Sequence, residues 1–116
     1  LRGSAASALG KLGNSSQLVI DALLQCLADE DSFVRGSAAS ALGQLGNSSQ
    51  AVINSLFQRL ADEDVSVRGN AAYALGQLGK QSSAVLPAVV QWLAQHPDSK
   101  YLGAGIDALW ALVADD

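Results

Sequence analysis

The sequence has no methionine, one cysteine, one histidine and two prolines, and aromatic residues make up only 5% of it. Each shortage removes a class of chemistry. A lone Cys26 cannot form an internal disulfide framework or a multi-cysteine metal site, and a single thiol is in keeping with a reducing cytoplasm. With His96 as the only histidine and Cys26 as the only cysteine, zinc-ligand spacing is missing. The seven lysines and arginines are scattered and the formal net charge is -4, so the basic footprint of a nucleic-acid binder is lacking. Residues 36–58 form the longest uncharged stretch, but Asn47, Ser48, Ser49 and Gln50 break it with turn-forming side chains, which excludes a membrane span. The chain opens at Leu1 with no basic-then-apolar leader, and the expectation is that it is a fragment of a longer protein.

What is present is alanine, leucine and glycine in a repeating order. Hydrophobic residues make up 49% of the 116 positions and charged residues 16%, which is too apolar for a disordered tail and enough for one domain. Sliding the sequence by 33 places aligns residues 2–31 with 35–64 at 24 of 30 positions. The differences are Lys11/Gln44, Leu18/Ala51, Asp21/Asn54, Ala22/Ser55, Leu24/Phe57 and Cys26/Arg59. A third copy runs over 68–95, and a fourth begins near Asp98 after a one-residue insertion. The units are a half unit at 1–13, then 14–46, 47–79 and 80–116, all in one domain.

Each unit reads as two helices. Val19, Ile20, Leu23, Leu24 and Leu27 return as Val52, Ile53, Leu56, Phe57 and Leu60, and again as Val85, Leu86, Val89, Val90 and Leu93, painting one helical face as core. In the second helix Val34, Ala38, Ala39, Ala41, Leu42 and Leu45 are repeated by Val67, Ala71, Ala72, Ala74, Leu75 and Leu78. Gly13, Gly46 and Gly79 fall where a left-handed residue ends the second helix, and Asn-Ser-Ser at 14–16 and 47–49 offers caps for the next. Asp31 and Asp64 are placed to cap the second helices. Gly10, Gly43 and Gly76 lie inside a helix, where each is about 1 kcal/mol worse than alanine, so close helix–helix approach is expected there. One two-helix unit cannot bury its own apolar face, whereas stacked units bury one another's. The expected fold is therefore all-α: an α-α superhelix, or solenoid, of about seven helices in stacked antiparallel pairs, the first an orphan.

The signature that recurs is Asp-Glu-Asp-x-x-Val-Arg-Gly-x-Ala-Ala-x-Ala-Leu-Gly-x-Leu-Gly, at 29–46 and 62–79. It resembles the short HEAT-like repeat of phycobilisome lyase subunits, found also in the repeat tails of bacterial signalling NTPases. The resemblance covers nearly the whole chain and implies a HEAT/armadillo-like solenoid in which the second helices line a concave wall. In the last unit Gln95 stands where Asp29 and Asp62 stood, Leu102 replaces the arginine and Trp110 the in-helix glycine. Aspartate and arginine disappear together, as a paired ladder would at its end.

Candidate sites reduce to one surface. Arg35 and Arg68, one turn into a helix behind acidic loops, are expected to bond Asp29, Asp62 and free carbonyls between repeats. Cys26 has Arg59 and Trp92 as its equivalents, a tolerant position expected near the surface. The acidic runs 29–31 and 62–64 lack the glycine and glutamate of a calcium loop. Gly103-x-Gly105 with Asp107 imitates a dinucleotide fingerprint, but no strand precedes it. No catalytic residue, metal ligand or cofactor site is assigned, and no enzyme activity is expected. On the second helices the positions equivalent to 33, 36, 37, 40 and 44 vary or stay polar along one stripe, which reads Gly3, Ser4, Ser7, Lys11, then Gly36, Ser37, Ser40, Gln44, then Gly69, Asn70, Tyr73, Gln77, followed by Asp107. This stripe is the expected protein-binding surface, with Tyr73 as anchor because Ser7 and Ser40 occupy its place in the other copies. The ridge of Gln25, Cys26, Gln58, Arg59, Gln91 and Trp92 is the next candidate. The expected function is a non-catalytic, cytoplasmic interaction scaffold for another protein or another domain of the same chain, with neither nucleic acid nor membrane as partner. The resemblance adds two rival readings, part of a bilin lyase subunit and the sensor tail of a signalling NTPase.

Overall fold

The computed structural model describes residues 5, 6, 8, 16–47, 49–95, 103 and 106. Five helices follow in order: α1 (Gln17–Cys26), α2 (Ser32–Leu45), α3 (Gln50–Arg59), α4 (Val65–Gly79) and α5 (Val85–Gln95). Residues 5, 6, 8, 103 and 106 are also helical, and no strand occurs among the described residues. Of the seven expected helices, the first and last otherwise lie outside the described residues.

The caps follow the repeat. Ser16 and Ser49 each accept from the backbone N–H three residues on, at 3.4 Å to Val19 and 3.4 Å to Val52. Asp31 accepts from Phe33 N at 2.8 Å and Asp64 from Ser66 N at 2.8 Å, so the loop aspartates start both second helices. Gly46 ends α2 in the left-handed region at φ 72°, as its place in the sequence requires. Gly79 does not repeat this. Helix α4 runs through Gly79, and Lys80 closes it in ordinary right-handed geometry at φ −71°. Lys80 stands where Asn47 stood, and lysine continues a helix more readily than asparagine, which accounts for the correction.

The core is a sheet of small and branched side chains between helices. Ile20, Leu23, Val52, Ile53, Leu56 and Leu60 from the first helices meet Ala38, Ala39, Ala41, Leu42, Ala71, Ala72, Ala74, Leu75 and Leu78 from the second. The third copy departs from the expected face. Helix α5 buries Val85, Val89 and Trp92, spaced i, i+4, i+7, while Leu86 and Val90 are 41% and 53% exposed. An indole buries more area than either displaced aliphatic, so α5 presents the Trp92 row. The position shared by Cys26, Arg59 and Trp92 is therefore not a surface one: Cys26 packs half-buried on the core, and Trp92 belongs to it.

Among the described helices, α2 and α4 pack most extensively against each other. A Cβ placed on Gly43 would lie 2.9 Å from both Cα and Cβ of Ala74, closer than carbon atoms can stand. The in-helix glycine is thus explained at this position, and Gly76 is likewise buried. The first helices stand further apart, leaving a crevice of about 250 Å³ between α3 and α5 lined by Phe57 and Trp92 among others. A stack whose second helices are close and whose first helices are splayed bends with the second helices inward.

Two glycine substitutions should therefore have opposite signs. Gly43→Ala gains helix propensity but drives a methyl group into the Ala74 backbone, and should lower stability by about 1–3 kcal/mol. Gly69, in α4 with nothing within 4 Å of its would-be Cβ, should accept alanine and gain about 0.5–1 kcal/mol. Thermal melts of both variants check the pair.

Candidate functional site

The residues richest in chemistry meet at the loop between α3 and α4. Asp62, with its side chain 2% exposed, receives Arg35 as a two-pronged partner, Nε to Oδ2 at 2.8 Å and Nη2 to Oδ1 at 2.9 Å. Arg59 adds Nη1 to Oδ2 at 3.1 Å, and the N–H of Asp64 donates to Oδ1 at 2.9 Å. The remaining prong of Arg35, Nη1, reaches back to the carbonyls of Asp29 at 2.9 Å and Glu30 at 3.1 Å. The arginine of one repeat thus holds its own acidic loop and the aspartate 27 residues on, in the next repeat. Arg68 repeats the backbone half of this arrangement, donating to Asp62 O at 2.7 Å. Asp29, the other expected carboxylate partner, offers Arg35 its carbonyl rather than its side chain.

Burial works against the charge on Asp62, but the hydrogen bonds from Arg35 and Asp64 N–H and the nearby guanidinium charges outweigh it, so its pKa is held below the usual carboxylate value. The bond to Asp62 raises Arg35 further above its already high value, against the opposing effect of burial. The Arg35 guanidinium and both carboxylate oxygens of Asp62 are committed to other protein groups, which suits the cluster to joining repeats. Among the described residues no group of three or more His, Cys, Asp and Glu side chains could hold a metal ion. No described helix is long and apolar enough to cross a membrane.

The polar stripe lies on α2 and α4, the second helices of their repeats. Ser37 and Ser40 are half-buried and Gln44 exposed on α2; Asn70 and Gln77 are half-buried on α4. Tyr73 is 58% exposed, and Gln77 Nε2 donates to its hydroxyl one turn along. Asn70 has a structural bond as well: its Nδ2 donates to Gly36 O at 3.2 Å, bridging the two second helices. Ser4, Ser7, Lys11 and Asp107 lie outside the described residues, as do His96 and most of the glycine pair with its aspartate. Gly36 is buried, because a Cβ there would sit 2.9 Å from Asn70 Nδ2.

Position 33 of the expected stripe carries a large apolar side chain. Phe33, 63% exposed, begins the same stripe in the first turn of α2. Its equivalent is Ser66. The comparison that distinguishes Tyr73, an aromatic where another copy has serine, distinguishes Phe33 equally.

A family model described as HEAT repeats matches residues 1–54 and 53–114. No curated protein matches the chain significantly. Among solved structures, the chain is similar to one in the complex of CpcE and CpcF of phycocyanin lyase from Nostoc sp. PCC7120, with a TM-score of 0.72 and 30% identity over 96% of this chain. The chain spans 47% of the length of that neighbour.

The depressed pKa of Asp62 fixes the sign of an acid effect. The ionised form is favoured by folding, so its contribution is complete above the unfolded value of about 3.9 and is lost as pH falls through the lower folded value. Asp62→Asn should be destabilised by about 3 kcal/mol near neutrality, where it leaves Arg35 buried without its counter-charge. Melts from neutral pH down to about 2 should show wild type converging on the variant below about pH 4.

Proposed function

The chain belongs to the HEAT-repeat family, and from that premise we propose that it is a non-catalytic interaction scaffold whose inward helices hold another protein or another segment of its own parent chain. The observation that carries this reading is Tyr73. It exposes a phenol ring on the inner wall where the preceding copy folds with Ser40, so the ring is not there for the core. Ser37, Ser40 and Gln44 on α2 and Asn70 and Gln77 on α4 surround it with small polar groups that let a partner's backbone approach. Ser4, Ser7, Lys11 and Asp107 extend the same surface by the repeat register. Repeats 14–46 and 47–79, with the half unit 1–13 and the divergent 80–116, act in this proposal as one domain of a cytoplasmic protein. The neighbouring structure is itself a complex of two protein subunits, which supports a protein partner.

A second reading follows from that same neighbour. At 30% identity and a TM-score of 0.72, the chain could serve as part of a lyase subunit of the phycocyanin type, contributing the solenoid rather than a reacting group. Mixing the protein with phycocyanin subunits and with candidate partner chains separates the two readings.

Replacing Tyr73 by serine restores the residue used by the preceding copy. Stability should stay within about 0.5 kcal/mol of wild type, as for an exposed substitution. Affinity for a protein that co-purifies with the full-length parent should fall by about 1–2 kcal/mol, the loss expected of an aromatic anchor. Titration calorimetry with parallel melts measures both, and unchanged affinity would move the site to another face.

A further inference from the structure

Phe33 does not only add a second aromatic to the inner wall; it forms one side of a cleft. The cleft, about 220 Å³, lies between the first turns of α2 and α4, with Phe33, Gly36 and Ser37 on one side and Asp64, Ser66 and Asn70 on the other. It is open because Gly36 contributes no side chain and the amide of Asn70 is folded back onto the Gly36 carbonyl. Val65, 69% exposed, stands in the first turn of α4 at the same end of the wall. Phe33 is a large apolar side chain exposed at the cleft where the next copy folds with Ser66, so folding does not require it there.

Among the described residues, the exposed charge around the cleft is negative. Six of the chain's eleven carboxylates lie in the loops 29–31 and 62–64 that lead into α2 and α4. Glu30, Asp31 and Glu63 are exposed, and Asp64 lines the cleft itself. The guanidiniums of the region are turned into the repeat junction: Arg35 and Arg59 bind Asp62, and Arg68 binds the Asp62 carbonyl. Among the described residues no basic side chain lines the cleft. An acidic segment approaching Phe33 would be repelled, and an uncharged apolar one would gain nothing from the rim.

We propose that the cleft at Phe33 receives an apolar side chain from a Lys/Arg-rich segment of a partner protein, whose cationic side chains lie over the loops 29–31 and 62–64. The proposal rests on the scaffold reading and adds to it the partner's chemistry and the end of the groove at which it docks.

The test is selection of a displayed library of random dodecapeptides on the immobilised wild-type protein, followed by titration of the enriched peptides in solution. Enriched peptides should combine an apolar residue with flanking lysines or arginines. Their affinity should fall about tenfold or more for Phe33→Ser, which installs the residue found at position 66, and be retained by Phe33→Leu. The double variant Glu30→Gln, Glu63→Gln removes exposed carboxylates that cap no helix. It should weaken binding and flatten the loss of affinity seen in wild type between about 50 and 500 mM salt. Melts of all variants confirm that each is folded. Enrichment of acidic or uncharged peptides, no enrichment at all, or binding indifferent to Phe33→Ser in the folded variant would overturn the proposal. Peptides sensitive to Tyr73→Ser but not to Phe33→Ser would leave the scaffold reading standing without it, whereas peptides sensitive to neither would remove both.

Discussion

The contact between Gly43 and Ala74 is the constraint on which the rest of the molecule depends. Because no carbon can be added to Gly43, α2 and α4 approach at backbone distance, and the neighbouring positions must be alanine or glycine for the same reason. That explains a core in which Ala38, Ala39, Ala41, Ala71, Ala72 and Ala74 are buried on the second helices while the leucines, isoleucines and valines fill the wider space toward the first helices. Small inside and large outside is a wedge. Stacked wedges bend, and the inward side is the one presenting Ser37, Ser40, Asn70 and Tyr73.

Close helices of small residues bury little area per residue, so the junction needs a second fastening, and Arg35 provides it. Its guanidinium ties three acidic-loop groups across two repeats: the carbonyls of Asp29 and Glu30, and the carboxylate of Asp62. The pair is fully hydrogen-bonded, the condition under which a buried charge can be tolerated, and no buried side-chain polar atom among the described residues lacks a partner. The bond also has a direction. Arg35 reaches the aspartate of the next repeat, and in the sequence the replacement of that aspartate by Gln95 is followed by replacement of the arginine by Leu102.

Repetition made most of this legible in the sequence, and its failures have physical causes. Helix order, the Ser16, Asp31, Ser49 and Asp64 caps and the core of the first two described units could be read because identical residues in identical register meet identical neighbours. Gly79 and the α5 face could not, since Lys80 and Trp92 change the local balance: one residue extends a helix past its glycine, the other turns a helix toward the core. The partner of Arg35 was legible only as a set of candidates, because the choice between Asp29 and Asp62 depends on the spacing between repeats, which no periodicity gives. Of the inner wall, Tyr73 was visible as a departure from its copies. Position 33 was legible as a varying position of the same stripe, but the exposure of Phe33 was not, because tertiary packing rather than periodicity decides whether an apolar side chain at a helix start is covered.

These departures divide the repeat into two kinds of position. Where a change is coupled to a neighbour, the copies agree: Gly43 with Ala74, Arg35 with Asp62, and each cap with the helix it starts. Where a residue faces the groove, the copies are free to differ, and at two such places an aromatic has replaced serine. A solenoid can vary its binding wall in this way without renegotiating its core, because the wedge and the arginine staple are satisfied entirely by residues that point elsewhere. The groove that results is not uniform. Its loop end is acidic because the same aspartates that cap α2 and α4 must stand there, so any partner meeting Phe33 also meets charge placed for folding. On this wall the capping requirement sets the electrostatics, and the aromatic substitutions set the points of contact within that field.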